Sequence, residues 1–406
     1  MKHKNEDTLK VSKKELLEKC RILIVEDDYI GRTVIMEIFK NIGFQTIIEA
    51  ENGRIGLEKA REFNPHLILM DVEMPEMDGI TCCQHIRQDP KLKDTVILVQ
   101  TSLNKTDDKA RIFEAGADDY LAKPVDPYEI TARAIIHLER VFMTQRLKDY
   151  HDRVQNELDM ARQAQQVLLP NEKVIEQAFI DHNIKIKSHF ETSSELGGDF
   201  WGLSSLSSQK LALYLVDFTG HGVHAALNTF RFHTLMQNNQ SLADQPGPYL
   251  TSLNAHLAPL LPTGQFATMF YGVIDFRDKV FSYASASAPY PILLRDHASA
   301  AEPLRQNNLP IGVHKNKSYN TNTTDFNPGD MLFLYSDALI ETPNLEREFL
   351  DVDTIAFLLQ EYCSTGDRFD LDAGFAKFVK SFLSRSDEKI ADDLTLNVYH
   401  WTDPEN

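Results

Sequence analysis

The sequence predicts three parts in chain order: a doubly wound α/β domain, a helical linker and an α+β sandwich. From Arg21 to about residue 140, short apolar runs alternate with amphipathic stretches of helical period, which is typical of a parallel sheet covered by helices. Residues 128–169 contain neither Gly nor Pro, which favours one long helix that stops at Pro170. After Pro170 the pattern changes to short apolar strands with few helices. We therefore expect a polar tail or short helix over 1–20, domains over 21–140 and 173–402, and a linker over 141–172.

Composition narrows the function classes. A chain of 406 residues is too long for one core, and its formal net charge of -18 argues against non-specific nucleic-acid binding, which needs a basic face. The N-terminus lacks the apolar segment of a signal peptide, and no apolar run approaches the length of a membrane span. The four cysteines form no CxxC pair, so free thiols in a reducing compartment are expected. We expect a cytoplasmic protein that binds neither nucleic acid nor membrane.

The first domain carries acidic residues at the ends of its predicted strands. Glu26 and Asp27 follow the first strand, and Asp71 ends the third. Because the carboxyl ends of neighbouring parallel strands form one crevice, these three acids should meet there. Crowded carboxylates raise each other's pKa unless a cation is bound. With a magnesium ion in place, Asp71 is suited to attack an activated phosphoryl donor. Thr101 and Lys123 end the next two strands and are suited to hold phosphoryl oxygens.

This segment resembles the CheY-like receiver domain of two-component response regulators. The resemblance rests on the VEDD acids, the MDVEMPEMDG stretch, the hydroxyl residue and the KP pair, in the family's order. It implies that Asp71 is the phosphoacceptor and that a sensor histidine kinase is a partner. It further implies a Mg²⁺ site formed by Glu26, Asp27, Asp71 and the backbone carbonyl of Glu73. The residues implied to respond to the phosphoryl group are Thr101, Lys123 and the aromatic Tyr120.

A second set of acids lies in the C-terminal half. LGGDF, LVDFTGHG, LYSDALIE and ADDLTLNV each place an aspartate where we expect a strand to end. Carboxylates this far apart in sequence meet only if the fold gathers them, and a shared divalent cation is the usual reason. Hard oxygen ligands suit magnesium or manganese, and two such ions together support phosphate hydrolysis. The four aspartates are Asp199, Asp217, Asp337 and Asp392.

Residues from about 155 to 402 resemble PPM-type serine/threonine phosphatases, closest to the SpoIIE/RsbU branch. Besides the four acidic stretches, FATMFYGVID and LPIGV follow in family order. The resemblance implies two Mn²⁺ or Mg²⁺ ions, with water rather than a side chain as the attacking group. It also implies a phosphorylated substrate of the anti-sigma-factor antagonist class. Its implied ligands are Asp217 as the bridge, Asp337 and Asp392 for one ion, and Asp199 with the backbone carbonyl of Phe218 for the other.

The sequence leaves the roles of three positions in the second acidic site undecided. Asp393 is an alternative to Asp392, and the sequence does not separate them. Gly202 stands where a further acid is frequent in the family, and Ala338 replaces the usual glycine after the aspartate of YSD. These departures concern substrate fit or a third metal and leave the four principal acids in place.

The linker shows a seam of 4,3 spacing, weakened by polar His151 and Gln165 at core positions. A dimeric coiled coil and a helix packed along its own domain are the two alternatives. The full seam is Leu147, His151, Val154, Leu158, Ala161, Gln165 and Leu168.

Together these features predict a response regulator whose receiver phosphorylation controls a metal-dependent phosphatase. The alternative is an adaptor of the RssB-like kind, which keeps the PPM fold without catalysis and binds a sigma factor or anti-sigma partner. Such adaptors have lost metal-site acids, whereas this chain keeps all four, and that favours the enzyme.

Overall fold

The computed structural model describes residues 12–102, 106–220, 222–296, 301–345, 347–365, 368–369, 371–385, 390 and 392–402. The chain divides into two compact units, Met1–Gln155 and Asn156–Asn406. Residues 1–11 of the predicted tail lie outside the described residues. Within the described part of the chain, no helix has both the length and the apolar character needed to cross a membrane.

The first unit contains a five-stranded, entirely parallel sheet in the order β2-β1-β3-β4-β5. The central strand β3 and its neighbour β4 are buried along their whole length, because helices cover both faces of the sheet. The predicted doubly wound fold is confirmed. The strands are β1 (Arg21–Val25), β2 (Thr46–Ala50), β3 (Leu67–Asp71), β4 (Val96–Thr101) and β5 (Asp119–Ala122).

Among the described residues, five helices precede the linker helix and accompany this sheet. Four of them begin at a polar residue whose side chain accepts a hydrogen bond from a first-turn N–H: Ser12, Asp28, Asn52 and Asp78. The first helix belongs to the fold, since Leu16 is buried in the core beside β1. The helices are α1 (Lys13–Lys19), α2 (Tyr29–Ile42), α3 (Gly53–Phe63), α4 (Gly79–Gln88) and α5 (Thr106–Glu114).

The predicted linker is a single helix of 40 residues, α6 (Pro127–Gln166). Its first turns bury Ile130, Ala134 and Leu138 in the core of the first unit. Leu147 is 58% exposed, and Gln165 near the end is buried again. The helical linker is thus confirmed, while pairing of this helix with a second chain stays a prediction.

The second unit is a sandwich of two antiparallel sheets. The first sheet has the order β13-β10-β9-β8-β7, and the second has the order β12-β11-β14-β17-β6. The first comprises β7 (Phe200–Ser207), β8 (Lys210–Phe218), β9 (Ala267–Asp275), β10 (Val280–Ala286) and β13 (Asn322–Asp325). The second comprises β6 (Ile184–Glu191), β11 (Ile292–Leu294), β12 (Glu302–Pro303), β14 (Met331–Tyr335) and β17 (Leu394–Trp401), and a separate pair is β15 (Ser364–Thr365) with β16 (Arg368–Phe369).

Helices cover the outer faces of the sandwich and give four layers. Leu213 and Phe270 of the first sheet pack against Leu334 of the second, so the central core lies between the sheets. One outer core packs α8 and α9 on the first sheet, and another packs α11 and α12 on the second. The predicted α+β sandwich is confirmed. The helices are α7 (Glu172–His182), α8 (Val223–Asn238), α9 (Pro246–Leu257), α10 (Ala338–Glu341), α11 (Val352–Cys363) and α12 (Leu371–Arg385).

Truncation within the central core should destabilise the second unit. Leu334→Ala removes a side chain that is 1% exposed, and we expect a loss of about 2–5 kcal/mol in the free energy of unfolding. The chain's two tryptophans, Trp201 and Trp401, are both buried in this unit, so denaturant titration followed by tryptophan fluorescence reports on it. Leu227→Ala, at a position that is 57% exposed, is the control. Equal midpoints for the two variants would contradict this description of the core.

Candidate active site and phosphoacceptor site

The structure brings together the three acids predicted in the first unit. Carboxylate oxygens of Glu26, Asp27 and Asp71 all lie within 4.8 Å of one another. Glu26 and Asp71 are 3% and 4% exposed, whereas Asp27 is exposed. Burial and the neighbouring Asp71 raise the pKa of Glu26. This donor set of clustered oxygens fits a hard divalent cation such as Mg²⁺.

Lys123 offsets part of this negative charge. Its Nζ donates to Asp71 Oδ2 at 2.6 Å and to Glu26 Oε1 at 3.1 Å. Burial alone would lower the pKa of Lys123, but its bonds to the two carboxylates outweigh burial and raise that pKa. The ammonium therefore stays charged and lies beside the carboxylate that we predict to be phosphorylated.

The remaining predicted residues of this site surround it. Thr101 ends β4 and is 2% exposed. Tyr120 is half-buried on β5, with its ring 5.9 Å from that of Phe113 in an edge-to-face contact. Glu73 follows β3 on the loop after Asp71, and its side chain is exposed.

The four C-terminal acids meet at one end of the sandwich, but not all of them end a strand as predicted. Asp217 lies in β8 and Asp337 follows β14, whereas Asp199 precedes β7 and Asp392 precedes β17. The reason is the antiparallel pairing of β7 with β8 and of β14 with β17. In such a pair the start of one strand lies beside the end of its neighbour, so both kinds of position reach the same edge.

Burial and mutual repulsion raise the pKa values of these acids. Burial, with Asp217 as the next cause, raises the pKa of Asp199 well above its ordinary value. Burial and the carboxylates of Asp337 and Asp392 raise the pKa of Asp217 to about 8. Burial, Glu341 and Asp392 raise the pKa of Asp337 to about 6. Such a cluster is stable in its ionised form only when a cation compensates its charge.

Three of the four acids, Asp217, Asp337 and Asp392, line a cavity of about 670 Å³. Five carboxylates contribute to its wall, and no Lys, Arg or His does so among the residues that the structure describes. Tyr290 and the segment 306–308 add uncharged polar groups to the lining. This donor set is of the chemical kind that hard divalent cations prefer, and without cations it would repel a phosphoryl group. The five acids are Asp217, Asp337, Glu341, Asp351 and Asp392.

Asp392 and Asp393 occupy different surroundings. Asp392 lines the cavity. Asp393 is 2% exposed, and its carboxylate accepts hydrogen bonds from the N–H of Ser193 at 2.8 Å and of Gly198 at 2.6 Å. Two adjacent residues before a strand point to opposite sides, so one carboxylate faces the cavity and the other holds the loop that carries Asp199.

Sequence reasoning missed two residues that position Asp199. Thr395 donates from Oγ1 to Asp199 Oδ2 at 2.6 Å. Gly198 lets the loop pass close to β8, since a Cβ there would lie 2.6 Å from the backbone oxygen of Phe218, a predicted ligand. Thr395 lies two residues after Asp393 in ADDLTLNV, and residues two apart in a strand point to the same side of the sheet. This alternation is the sequence signal that could have identified Thr395.

Gln165 has a role that the seam prediction did not include. Its side chain is 5% exposed and its Nε2 donates to the carbonyl of Gly197 at 2.7 Å and to Thr229 Oγ1 at 3.2 Å. The N–H of Gly197 donates back to Gln165 Oε1 at 3.3 Å. The last turn of α6 is therefore bonded to the loop that carries Asp199, and Gln165 is satisfied within its own unit.

Comparison with known families agrees with this division. Residues 22–135 match the family model for the response regulator receiver domain, and residues 207–402 match the model for stage II sporulation protein E (SpoIIE). Chemotaxis protein CheY of Bacillus subtilis is 39% identical over 105 residues, which cover 26% of this chain and 85% of CheY.

Two further similarities concern the second unit. Phosphoserine phosphatase RsbP of Bacillus subtilis is 25% identical over 189 residues, which cover 46% of this chain and 45% of RsbP. The solved SiaA-PP2C domain of Pseudomonas aeruginosa aligns with a TM-score of 0.54 and 18% identity, over 62% of this chain and 98% of that domain, and shows a shared fold. The chain spans about half the length of several curated relatives that it matches.

The receiver match covers 85% of CheY at 39% identity, and the SpoIIE match includes Asp217, Asp337 and Asp392 but begins after Asp199. The chain belongs to the response regulator receiver family, and it joins a receiver domain to a SpoIIE domain of the PPM phosphatase fold.

Proposed function

We propose that this protein is a response regulator in which phosphorylation of Asp71 controls metal-dependent dephosphorylation of a phosphoserine or phosphothreonine protein. The observation that carries the proposal is the cavity lined by five carboxylates and, among the described residues, by no basic side chain. Asp217, Asp337 and Asp392 are half-buried, and a structural role would not favour like charges clustered in this way. Divalent ions supply Lewis acidity there, which activates water and neutralises charge on a phosphoryl oxygen.

The side chains of this site have separate tasks in the proposal. Asp217, Asp337 and Asp392 face the cavity and would hold the ions, with Asp217 as the bridge. Asp199 joins them in an orientation that Thr395 maintains. Asp393 holds the loop and contributes no ligand. These assignments favour an enzyme over a non-catalytic adaptor, because an adaptor has no need of this donor set.

The substrate and partners follow from the same proposal. The RsbP relative is by name a phosphoserine phosphatase, which supports a phosphoprotein substrate here. We infer an anti-sigma-factor antagonist as its class and a sensor histidine kinase as the phosphoryl source. A homodimer paired through α6 would use half-buried seam positions such as Val154 and Leu158. The four cysteines are buried and form no disulfide, which is in keeping with a cytoplasmic location.

Receiver control would pass through α6. Its first turns belong to the receiver core and its last turn bonds the Asp199 loop through Gln165. A change in receiver pairing that shifts α6 would therefore alter the position of Asp199, which biases a two-state site.

Removing one acid should abolish turnover. We expect the protein to hydrolyse para-nitrophenyl phosphate with Mn²⁺ or Mg²⁺ and to stop with EDTA. Asp217→Asn and Asp392→Asn should each lower kcat roughly a hundredfold or more, the scale of losses for electrostatic groups at active sites. Asp278→Asn, an exposed aspartate in the β9–β10 turn, is the matched control.

Asp393→Asn separates the two adjacent acids. It should lower the metal-free unfolding midpoint, since it weakens the bonds to Ser193 and Gly198, whereas Asp392→Asn should reduce the stabilisation gained on adding Mn²⁺. Wild-type turnover by Asp217→Asn at saturating metal would contradict the catalytic assignment.

Metal affinity should rise with pH. In the metal-free fold Asp217 has a pKa of about 8 and Asp337 of about 6, against 3.8 ordinarily, so the folded chain retains protons that the unfolded chain has lost. The metal-free unit therefore loses stability as pH rises from about 4 towards 8, and metal must displace these protons to bind.

Between pH 6 and 8 we expect the apparent Kd for Mg²⁺ to fall about tenfold per pH unit for one displaced proton. Calorimetric titration in buffers of different ionisation enthalpy measures both quantities, and an affinity that does not change with pH would refute the expectation.

Phosphorylation of the receiver should change the turnover of the phosphatase site only in chains that keep Gln165. Acetyl phosphate should phosphorylate the wild type and Asp94→Asn but not Asp71→Asn, as peptide mass spectrometry can show. Gln165→Ala should still be labelled, yet the ratio of kcat with and without label should fall to about one, because the bonds between α6 and Gly197 are lost. Gln163→Ala, two residues earlier and exposed, is the control and should keep the wild-type ratio. An unchanged ratio in Gln165→Ala would exclude this route.

A further inference from the structure

A second cavity, of about 250 Å³, lies on the outer face of the β7–β8–β9 sheet and has no residue in common with the acidic cavity. Strands β7, β8 and β9 contribute to its wall, α8 and α9 lie over it, and the segment 167–171 after α6 borders it. The residues used below are Tyr214, Tyr249, Tyr271, His233, Ser204 and Gly202.

Three tyrosine rings line this cavity, and one hydroxyl has no partner. Tyr249 donates to the carbonyl of Met236 at 3.1 Å, and Tyr271 donates to that of Ala243 at 2.7 Å. Tyr214 is only 8% exposed, and no residue in the described part of the chain bonds its hydroxyl. The hydroxyl is absent from the enclosed side-chain atoms that lack a partner among the described residues, so it opens to the cavity and not to the core. It is therefore free to donate a hydrogen bond to a molecule that enters the cavity.

The position of the Tyr214 ring depends on the glycine opposite. Gly202 and Tyr214 are paired across β7 and β8, and a Cβ at residue 202 would lie 2.2 Å from the Tyr214 hydroxyl oxygen. Any side chain at 202 would displace the ring. An acid is frequent at this position in the family. Here it is replaced by Gly202, which leaves room for the Tyr214 ring to lie over strand β7.

Charge and size define the class of ligand. The lining contains no Asp, Glu, Lys or Arg, and burial lowers the pKa of His233, so its ring is neutral at pH 7. A charged ligand would lose its hydration without gaining an ion pair. The volume exceeds the roughly 150 Å³ that accommodates benzene, and it is slightly below the roughly 300 Å³ at which drug-sized pockets begin.

We propose that this cavity binds an uncharged, planar molecule of one or two fused rings that accepts a hydrogen bond from Tyr214. The tyrosine rings provide apolar walls for its faces, and the Tyr214 hydroxyl with the polar groups of Ser204 and His233 fixes its edge. The ligand class is independent of the phosphatase proposal, because none of these residues lines the acidic cavity.

Ligand-observed NMR and calorimetry on the full chain test the proposal with four uncharged probes: 2-naphthamide, benzamide, quinoline and adenine. At least one should bind with a Kd tighter than about 1 mM. The 2-naphthoate ion, which matches 2-naphthamide in shape but is charged, should bind at least about tenfold more weakly than its amide. If none of the four binds, the cavity holds water only and the proposal is wrong.

Three variants place the binding site. Tyr214→Phe should raise the Kd of the probe that binds about three- to tenfold, which corresponds to the net contribution of one hydrogen bond. Ser204→Phe should abolish binding by filling the cavity, and Tyr283→Phe, in the core between the two sheets, should bind like the wild type. Tryptophan fluorescence during unfolding verifies that each variant is folded. Equal affinity in Tyr214→Phe and the wild type, or binding retained by Ser204→Phe, would overturn the assignment.

Discussion

The repulsion among buried carboxylates is the constraint on which the second unit depends. Asp199 is 1% exposed, and the pKa values of Asp199, Asp217 and Asp337 all lie above their ordinary range. Such a cluster survives only if surrounding groups hold each carboxylate in place. Antiparallel pairing supplies the positions, since strand starts and strand ends alternate along one edge. Asp393 adds to the repulsion that raises the pKa values of Asp199 and Asp217, but its carboxylate also accepts hydrogen bonds from backbone N–H groups and so holds the Asp199 loop.

The receiver solves the same problem differently. Its three acids face a lysine, and Lys123 contacts two of them directly. The site is therefore partly neutralised before any ion binds, whereas the acidic cavity of the second unit has no basic side chain among the described residues. This contrast matches the proposed chemistries: one carboxylate attacks a phosphoryl donor at the first site, and water attacks a phosphoryl group at the second.

The fold was predictable from the sequence where the apolar pattern was strong. The five parallel strands coincide with short apolar runs, since a strand buried on both faces needs them. The apolar pattern of strand β7 is weak, because FWGLSSLS has Gly and Ser where apolar residues are expected, and its Gly202 accommodates Tyr214. Asp199 and Asp392 were identified as site residues but were placed at the wrong ends of strands, because pairing direction is a long-range property. The choice between Asp392 and Asp393 likewise depended on which way each side chain points.

Gln165 shows why a helical seam does not identify its own partner. In a coiled coil, a polar residue at a core position of the heptad lowers stability. The 3.5-residue period of a coiled coil and the 3.6-residue period of a helix packed on its own domain are almost the same over a few turns, so the pattern alone does not distinguish them. The amide resolves the ambiguity at this position. It donates to one backbone group of Gly197 and accepts from another, and a hydrophobic residue could do neither. A buried amide that bonds both groups of one peptide segment holds it in a single register, so displacement of the last turn of α6 must move the Asp199 loop or break these bonds. The polar residue that weakens the seam is thus the one that connects the helix to the acidic site.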